Sequence, residues 1–98
     1  MDYVAIFFAG AFLCNCIPHL CAGLSGVPFP TPFARPRGIG NSSPIVNFLW
    51  GALNVAAGGA LLASHPLILG LNWQTFALAA GAVTLGVYLS LHFGNRQA

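Results

Sequence analysis

The chain has 98 residues, of which 57% are hydrophobic and 4% are charged, and its formal net charge is +2. A soluble domain needs about a quarter of its residues charged, so this composition excludes a globular surface in water and predicts a protein surrounded by lipid. The sequence lacks Lys and Glu. Because Asp2 is its one acidic residue, the chain cannot form the carboxylate pair that many enzymes use. We therefore expect no enzyme, and the small net charge does not indicate nucleic-acid binding.

Three apolar segments are each long enough to cross a bilayer, which takes about 20 helical residues for about 30 Å of hydrocarbon. A cleavable signal peptide is rejected for the first segment, because the chain begins Met-Asp-Tyr and lacks a basic start. Pro44 and Pro66 delimit the second helix, and Gly94 suits the end of the third. The sequence predicts a single all-α membrane domain over residues 1–98. Its parts are a first helix at about 3–23, a loop at 24–43, a second helix at about 44–64 and a third at about 73–93.

Thiol and imidazole side chains cluster near the end of the first helix, and such ligands suit Cu(I) or Zn. The candidate ligands are Cys14, Cys16, His19, Cys21 and, from the third helix, His92. On a continuous helix Cys14 and Cys21 share one face while Cys16 and His19 point to the opposite one, so convergence would require a break at Pro18. We interpret the cysteines as packing residues and the histidines as interfacial side chains, and we assign no metal and no cofactor.

The loop at residues 24–43 is rich in proline yet too apolar to be an ordinary solvated linker. Its prolines forbid a regular helix and favour extended backbone. We interpret it as a rigid surface connector anchored by aromatic residues, with a functional lid or a partner-binding loop as the alternative. A re-entrant course would require its backbone to be buried in protein. The loop residues of interest are Phe29, Pro30, Pro32, Phe33 and the headgroup-facing Arg35 and Arg37.

The second helix carries one face of small and polar residues. At about 100° per residue, five positions fall within about 40° of one line. They are Asn47, Gly51, Asn54, Gly58 and His65. Small residues let helix backbones approach and amides hydrogen-bond across the contact, so we interpret this face as a helix–helix interface. The alternative is that its polar residues line a path through an oligomer.

The other two helices also present small residues for close packing. These are Ala5, Ala9, Phe12, Cys16 and Gly23 on the first helix and Thr75, Ala79, Ala82, Gly86 and Ser90 on the third. With so many small residues, we expect a homo-oligomer or a larger membrane complex.

The arginines predict the orientation in the membrane. Arg35 and Arg37 lie in the first loop and Arg96 in the C-terminal tail, which three crossings place on one side. Because basic loops remain in the cytoplasm, the N-terminus is predicted outside and the C-terminus in the cytoplasm, in a bacterial inner membrane.

Three functional hypotheses remain from the sequence. The first is a non-catalytic integral membrane protein that acts through helix–helix association as an oligomerising or accessory subunit. The second is a small transporter or channel formed by a homo-oligomer, with Asn47, Asn54 and His65 along its path. The third is a thiol–histidine metal or haem protein.

Overall fold

The computed structural model describes residues 2–97 of the chain and contains three long helices and two very short strands. In chain order the elements are α1 Tyr3–Leu24, β1 Phe29–Pro30, β2 Asn41–Ser42, α2 Pro44–Ser64 and α3 Trp73–Gln97. All three helices are long and apolar enough to cross a membrane, which confirms the predicted number of such helices. The predicted orientation rests partly on Arg96, whose side chain lies outside the described part of the structure.

The helices begin at residues whose side chains cap them. The Val46 amide donates to Ser43 Oγ at 3.4 Å at the start of α2, and the Thr75 amide donates to Asn72 Oδ1 at 2.8 Å at the start of α3. These bonds satisfy backbone donors that the first turn of a helix leaves without partners. Asp2 caps α1 in the same way, since its Oδ1 accepts the Ala5 amide at 3.1 Å.

The end of α3 differs from the prediction. We expected Gly94 to terminate the helix, but α3 continues to Gln97. Glycine favours a left-handed terminus without enforcing one, and the following residues Asn95 and Arg96 can continue helical geometry.

The loop between α1 and α2 closes into a small hairpin. The strands β1 and β2 are antiparallel, with Phe29 opposite Ser42 and Pro30 opposite Asn41. The intervening turn is tied by the Thr31 carbonyl, which accepts the amides of Ala34 and Gly38 at 3.1 and 2.9 Å. Gly38 has a φ of 68°, a left-handed conformation that glycine adopts without steric cost. The extended backbone expected from the prolines is therefore folded back on itself.

The chain divides into two compact units. Of the described residues, 2–15 and 54–97 form the first unit, and Cys16–Leu53 form the second. In the first unit Ile6 and Ala9 of α1 are fully buried. The buried residues of the second unit are Cys16, His19, Ala22, Pro30, Thr31, Ala34, Asn47 and Gly51, of which His19, Thr31 and Asn47 are polar.

Backbone-to-backbone contact joins α1 and α3 within the first unit. A Cβ added to Gly10 would collide with the Leu78 carbonyl oxygen, and one added to Gly81 would collide with the Phe7 carbonyl oxygen. In each case the α-hydrogen of the glycine points toward that oxygen, which is the geometry of a weak Cα–H···O contact. The two contacts are reciprocal, so this crossing depends on glycine at both positions.

Candidate functional site

The Asn47 side chain is the centre of a buried polar cluster in the second unit. Its Nδ2 donates to the carbonyl oxygens of Phe29, Ser42 and Ser43 at 2.9, 3.2 and 3.1 Å. Its Oδ1 lies 2.9 Å from Nδ1 of His19 on α1. One amide on α2 therefore binds both strands of the hairpin and the end of α1.

The hydrogen-bond partners of Asn47 determine which ring nitrogen of His19 carries the proton. Because carbonyl oxygens can only accept, the atom of Asn47 that faces them must be the amide nitrogen, and the atom that faces His19 must be the amide oxygen. Nδ1 of His19 is therefore the donor, and a neutral ring carries its proton on Nδ1. His19 is 3% exposed, so the expectation that its polar tip lies among the headgroups is wrong.

Aromatic rings surround this histidine. Phe29 and Trp50 meet the His19 ring edge-on, with centroids 5.7 and 6.4 Å away. Phe33 in turn packs edge-on against Trp50 with centroids 5.2 Å apart. These contacts hold the hairpin against both helices of the second unit.

The loop residues singled out from the sequence occupy different environments. Pro30 is fully buried and Phe29 is half-buried, while Phe33 is 64% exposed despite its contact with Trp50. The remaining three residues are exposed. They are Pro32, Arg35 and Arg37.

The rest of the polar face of α2 lies in the first unit. Asn54 is 2% exposed, and its Oδ1 accepts a hydrogen bond from Asn15 Nδ2 at 2.9 Å. Gly58 is buried where an added Cβ would lie 2.8 Å from Leu13 Cγ. His65 is half-buried just beyond the end of α2, and its amide donates to the Leu61 carbonyl at 2.9 Å.

Gly51 makes the equivalent contact in the second unit. A Cβ at this buried glycine would lie 2.8 Å from Leu20 Cγ. Asn47, Gly51, Asn54 and Gly58 therefore each face a residue of α1. Within each unit, the amide–glycine face of α2 is in contact with the chain's own first helix.

Three hydrogen-bonding residues of these contacts were not identified from the sequence. Asn15 carried a usable signal, since an amide in the middle of an apolar span has to find a polar partner. Thr31 and Ser42 carried none, because their side chains meet, at 2.6 Å between hydroxyl oxygens, only after the hairpin has closed.

The candidate metal ligands are spread over different environments. Cys14 is half-buried, Cys16 is buried and Cys21 is exposed. His92 stacks on Tyr88 with centroids 5.9 Å apart and planes 9° from parallel. Among residues 2–97, no three His, Cys, Asp or Glu side chains group closely enough to hold a metal ion.

Comparison with protein-family models, with curated proteins and with solved structures found no match to this chain. The functional interpretation therefore depends on the geometry described above.

Proposed function

We propose that the chain is a non-catalytic integral membrane protein that associates with other helices, as a homo-oligomer or as an accessory subunit of a larger complex. The bilayer would be a bacterial inner membrane, with the N-terminus outside and the C-terminus in the cytoplasm. The support for a lipid environment is the surface of the helices. Leu49, Leu53 and Phe76 are 58%, 59% and 66% exposed, and water would make such exposure costly.

The observation that carries the association hypothesis is an outward face of small residues on α2. Its members share one side of the helix and are all exposed. They are Ala56, Gly59, Ala60 and Ala63. A Cβ added to Gly59 would meet no atom within 4 Å. Lipid-facing positions have no need of small residues, whereas small residues let a second helix approach closely.

The internal contacts of the chain favour association over a pore. A path through an oligomer would need the amides of Asn47 and Asn54 to face water or substrate. Both amides are instead bonded to residues of the same chain. The small outward face of α2 is therefore the better candidate for contact with another molecule.

Two adjacent glycines provide a matched experiment. Gly59→Leu places a bulky side chain on the outward face, whereas Gly58→Leu places it against Leu13 inside the chain. We expect Gly59→Leu to convert the wild-type oligomer to smaller species while each chain stays folded, because the new side chain meets no neighbouring atom of its own chain. Gly58→Leu should lower the melting temperature. Fluorescence bleaching steps of a tagged chain in dilute liposomes report the oligomer size.

Two results would contradict the proposal. A wild-type chain that is monomeric at all protein-to-lipid ratios and purifies without a partner would remove the need for an association face. Release of the chain from membranes by alkaline carbonate would contradict its integral location. Val87→Ala is the control for a change of volume at an exposed helix position outside α2, and it should leave the oligomer intact.

A further inference from the structure

The turn between the two strands displays large side chains on a fixed backbone. Within residues 31–40, the Thr31 carbonyl binds two amides and the Pro36 carbonyl binds those of Ile39 and Gly40 at 3.1 and 2.8 Å. Thr31 and Ala34 are 1% and 6% exposed and form the inner side of the turn. The outer side carries two cationic side chains flanked by two apolar ones, all of them exposed. They are Phe33, Arg35, Arg37 and Ile39.

The hairpin folds back along the helices and does not project beyond their ends. Phe33 contacts Trp50, which lies six residues inside α2, and Phe29 contacts His19, which lies five residues before the end of α1. At about 1.5 Å per residue these contacts lie about 7–9 Å inside the helix ends. α1 and α2 have 22 and 21 residues and are therefore about 32–33 Å long, close to the roughly 30 Å thickness of the hydrocarbon. If both helices span the membrane, the hairpin lies just inside the hydrocarbon boundary, where long arginine side chains reach the headgroups.

The charge of the turn is positive. Residues 25–43 contain Arg35 and Arg37 and no acidic residue, and Asp2, the one acid of the chain, precedes α1. A guanidinium group binds phosphate oxygens in a bidentate manner, and anionic phospholipids present phosphates within reach of arginine side chains at the hydrocarbon boundary. Exposed Phe33 and Ile39 match the apolar boundary just below the phosphates.

We propose that the turn at residues 31–40 is a binding site for anionic phospholipid headgroups. Arg35 and Arg37 bind the headgroup phosphates, while Phe33 and Ile39 insert at the boundary with the acyl chains. Asn47, through the Phe29 and Ser42 carbonyls, holds the hairpin at the correct depth. This inference rests on the proposed membrane location, and it does not depend on association through the outward face of α2.

The test measures which lipid the protein selects. The full chain is reconstituted in phosphatidylcholine bilayers, and spin-labelled phosphatidylglycerol or phosphatidylcholine is added to measure the motionally restricted fraction of each. We expect wild type to prefer phosphatidylglycerol, and this preference to fall about five-fold for each arginine removed in Arg35→Gln and Arg35→Gln/Arg37→Gln. Arg35→Lys/Arg37→Lys keeps the charge and should retain most of the preference. The preference should also weaken as salt is raised.

Each other outcome contradicts the inference. Equal association of the two lipids with wild type would show that the turn does not select anionic headgroups, and a turn that bound an acidic protein segment instead would give this result. A preference unchanged in the double glutamine variant would place the lipid site elsewhere. Alkaline extraction of the same variants separates the two proposals, because release of wild type would contradict the membrane location, while retention with no lipid preference would contradict this inference alone.

The depth of the turn in the bilayer is measured independently by exchanging the aromatic residues at positions 33 and 50. Phe33→Trp in a Trp50→Phe/Trp73→Phe background keeps an aromatic contact with α2 and leaves one tryptophan, on the turn. Lipids brominated near the headgroup should quench its fluorescence more strongly than aqueous iodide does. Stronger quenching by iodide would place the turn in water and contradict insertion.

Discussion

Asn47→Leu is the change expected to destabilise the second unit most, because it removes one amide with four polar contacts. The carbonyls of Phe29 and Ser42 would lose this donor, and the Nδ1–H of His19 would lose its acceptor. The Ser43 carbonyl keeps its bond from the Asn47 backbone amide at 3.1 Å. At about 1–3 kcal/mol for each of these three buried or part-buried groups that loses a hydrogen bond, the free energy of unfolding should fall by about 3–9 kcal/mol.

Unfolding of the protein in mixed micelles, followed by circular dichroism as the denaturing detergent is raised, measures this loss. Asn95→Leu is the control, since it makes the same chemical change at an exposed position of α3. We expect the control to change stability by about 0.5 kcal/mol or less. Adding His19→Leu to Asn47→Leu should recover part of the loss, because both partners of one buried bond are then apolar.

Nitrogen-15 NMR of the histidine rings checks the same reasoning without a substitution. The hydrogen bond to Asn47 requires a neutral His19 ring to carry its proton on Nδ1. A neutral ring protonated on Nε2, or an Asn47→Leu protein as stable as the Asn95→Leu control, would refute the proposed role of this amide.

Three further predictions concern the glycines, the cysteines and the topology. Gly81→Ala should lower the free energy of unfolding by about 2 kcal/mol or more, because its Cβ would overlap the Phe7 carbonyl. Gly59→Ala, which meets no neighbouring atom of its own chain, should raise the stability of the dissociated chain by about 0.5–1 kcal/mol; melting temperatures in dissociating detergent compare the two variants. Joint replacement of the three cysteines by Ala should cost a few kcal/mol at most, and metal analysis of wild type that found stoichiometric copper or zinc would contradict their assignment as packing residues. A C-terminal tag should be accessible from the cytoplasm and an N-terminal tag from outside, and tags on the same side would contradict three crossings.

Helix positions were predictable from the sequence because their signals are local. Pro44 starts α2 where its missing amide proton is no loss, and Pro66 follows closely after the end of α2 at Ser64. The face of α2 that includes Asn47 and Gly58 was likewise visible from the helical period alone. The helical period identifies which residues share a face of α2, but it does not identify the residues that pack against that face.

The partners of that face could not be predicted for a physical reason. The bond between Asn15 and Asn54 joins residues 39 positions apart, and no local pattern specifies which amide another amide will meet. The same applies to the contact of Gly10 with Leu78, which depends on how two helices cross. The pairing of Phe29 with Ser42 could not be predicted, because a proline-rich sequence favours extended backbone but does not specify which residues pair.

The bond between Asn15 and Asn54 has a consequence for biosynthesis. If the chain inserts into a membrane from its N-terminus, as proposed, α1 is complete before the residue that binds its central amide has been synthesised, since Asn54 follows Asn15 by 39 positions. An amide without a hydrogen-bond partner has a high free energy in hydrocarbon. It is therefore favourable for α1 to remain beside the insertion machinery until α2 has been synthesised. The two helices would then leave as a hairpin, with the proline-rich loop already closed between them, and α3 would join an assembled pair.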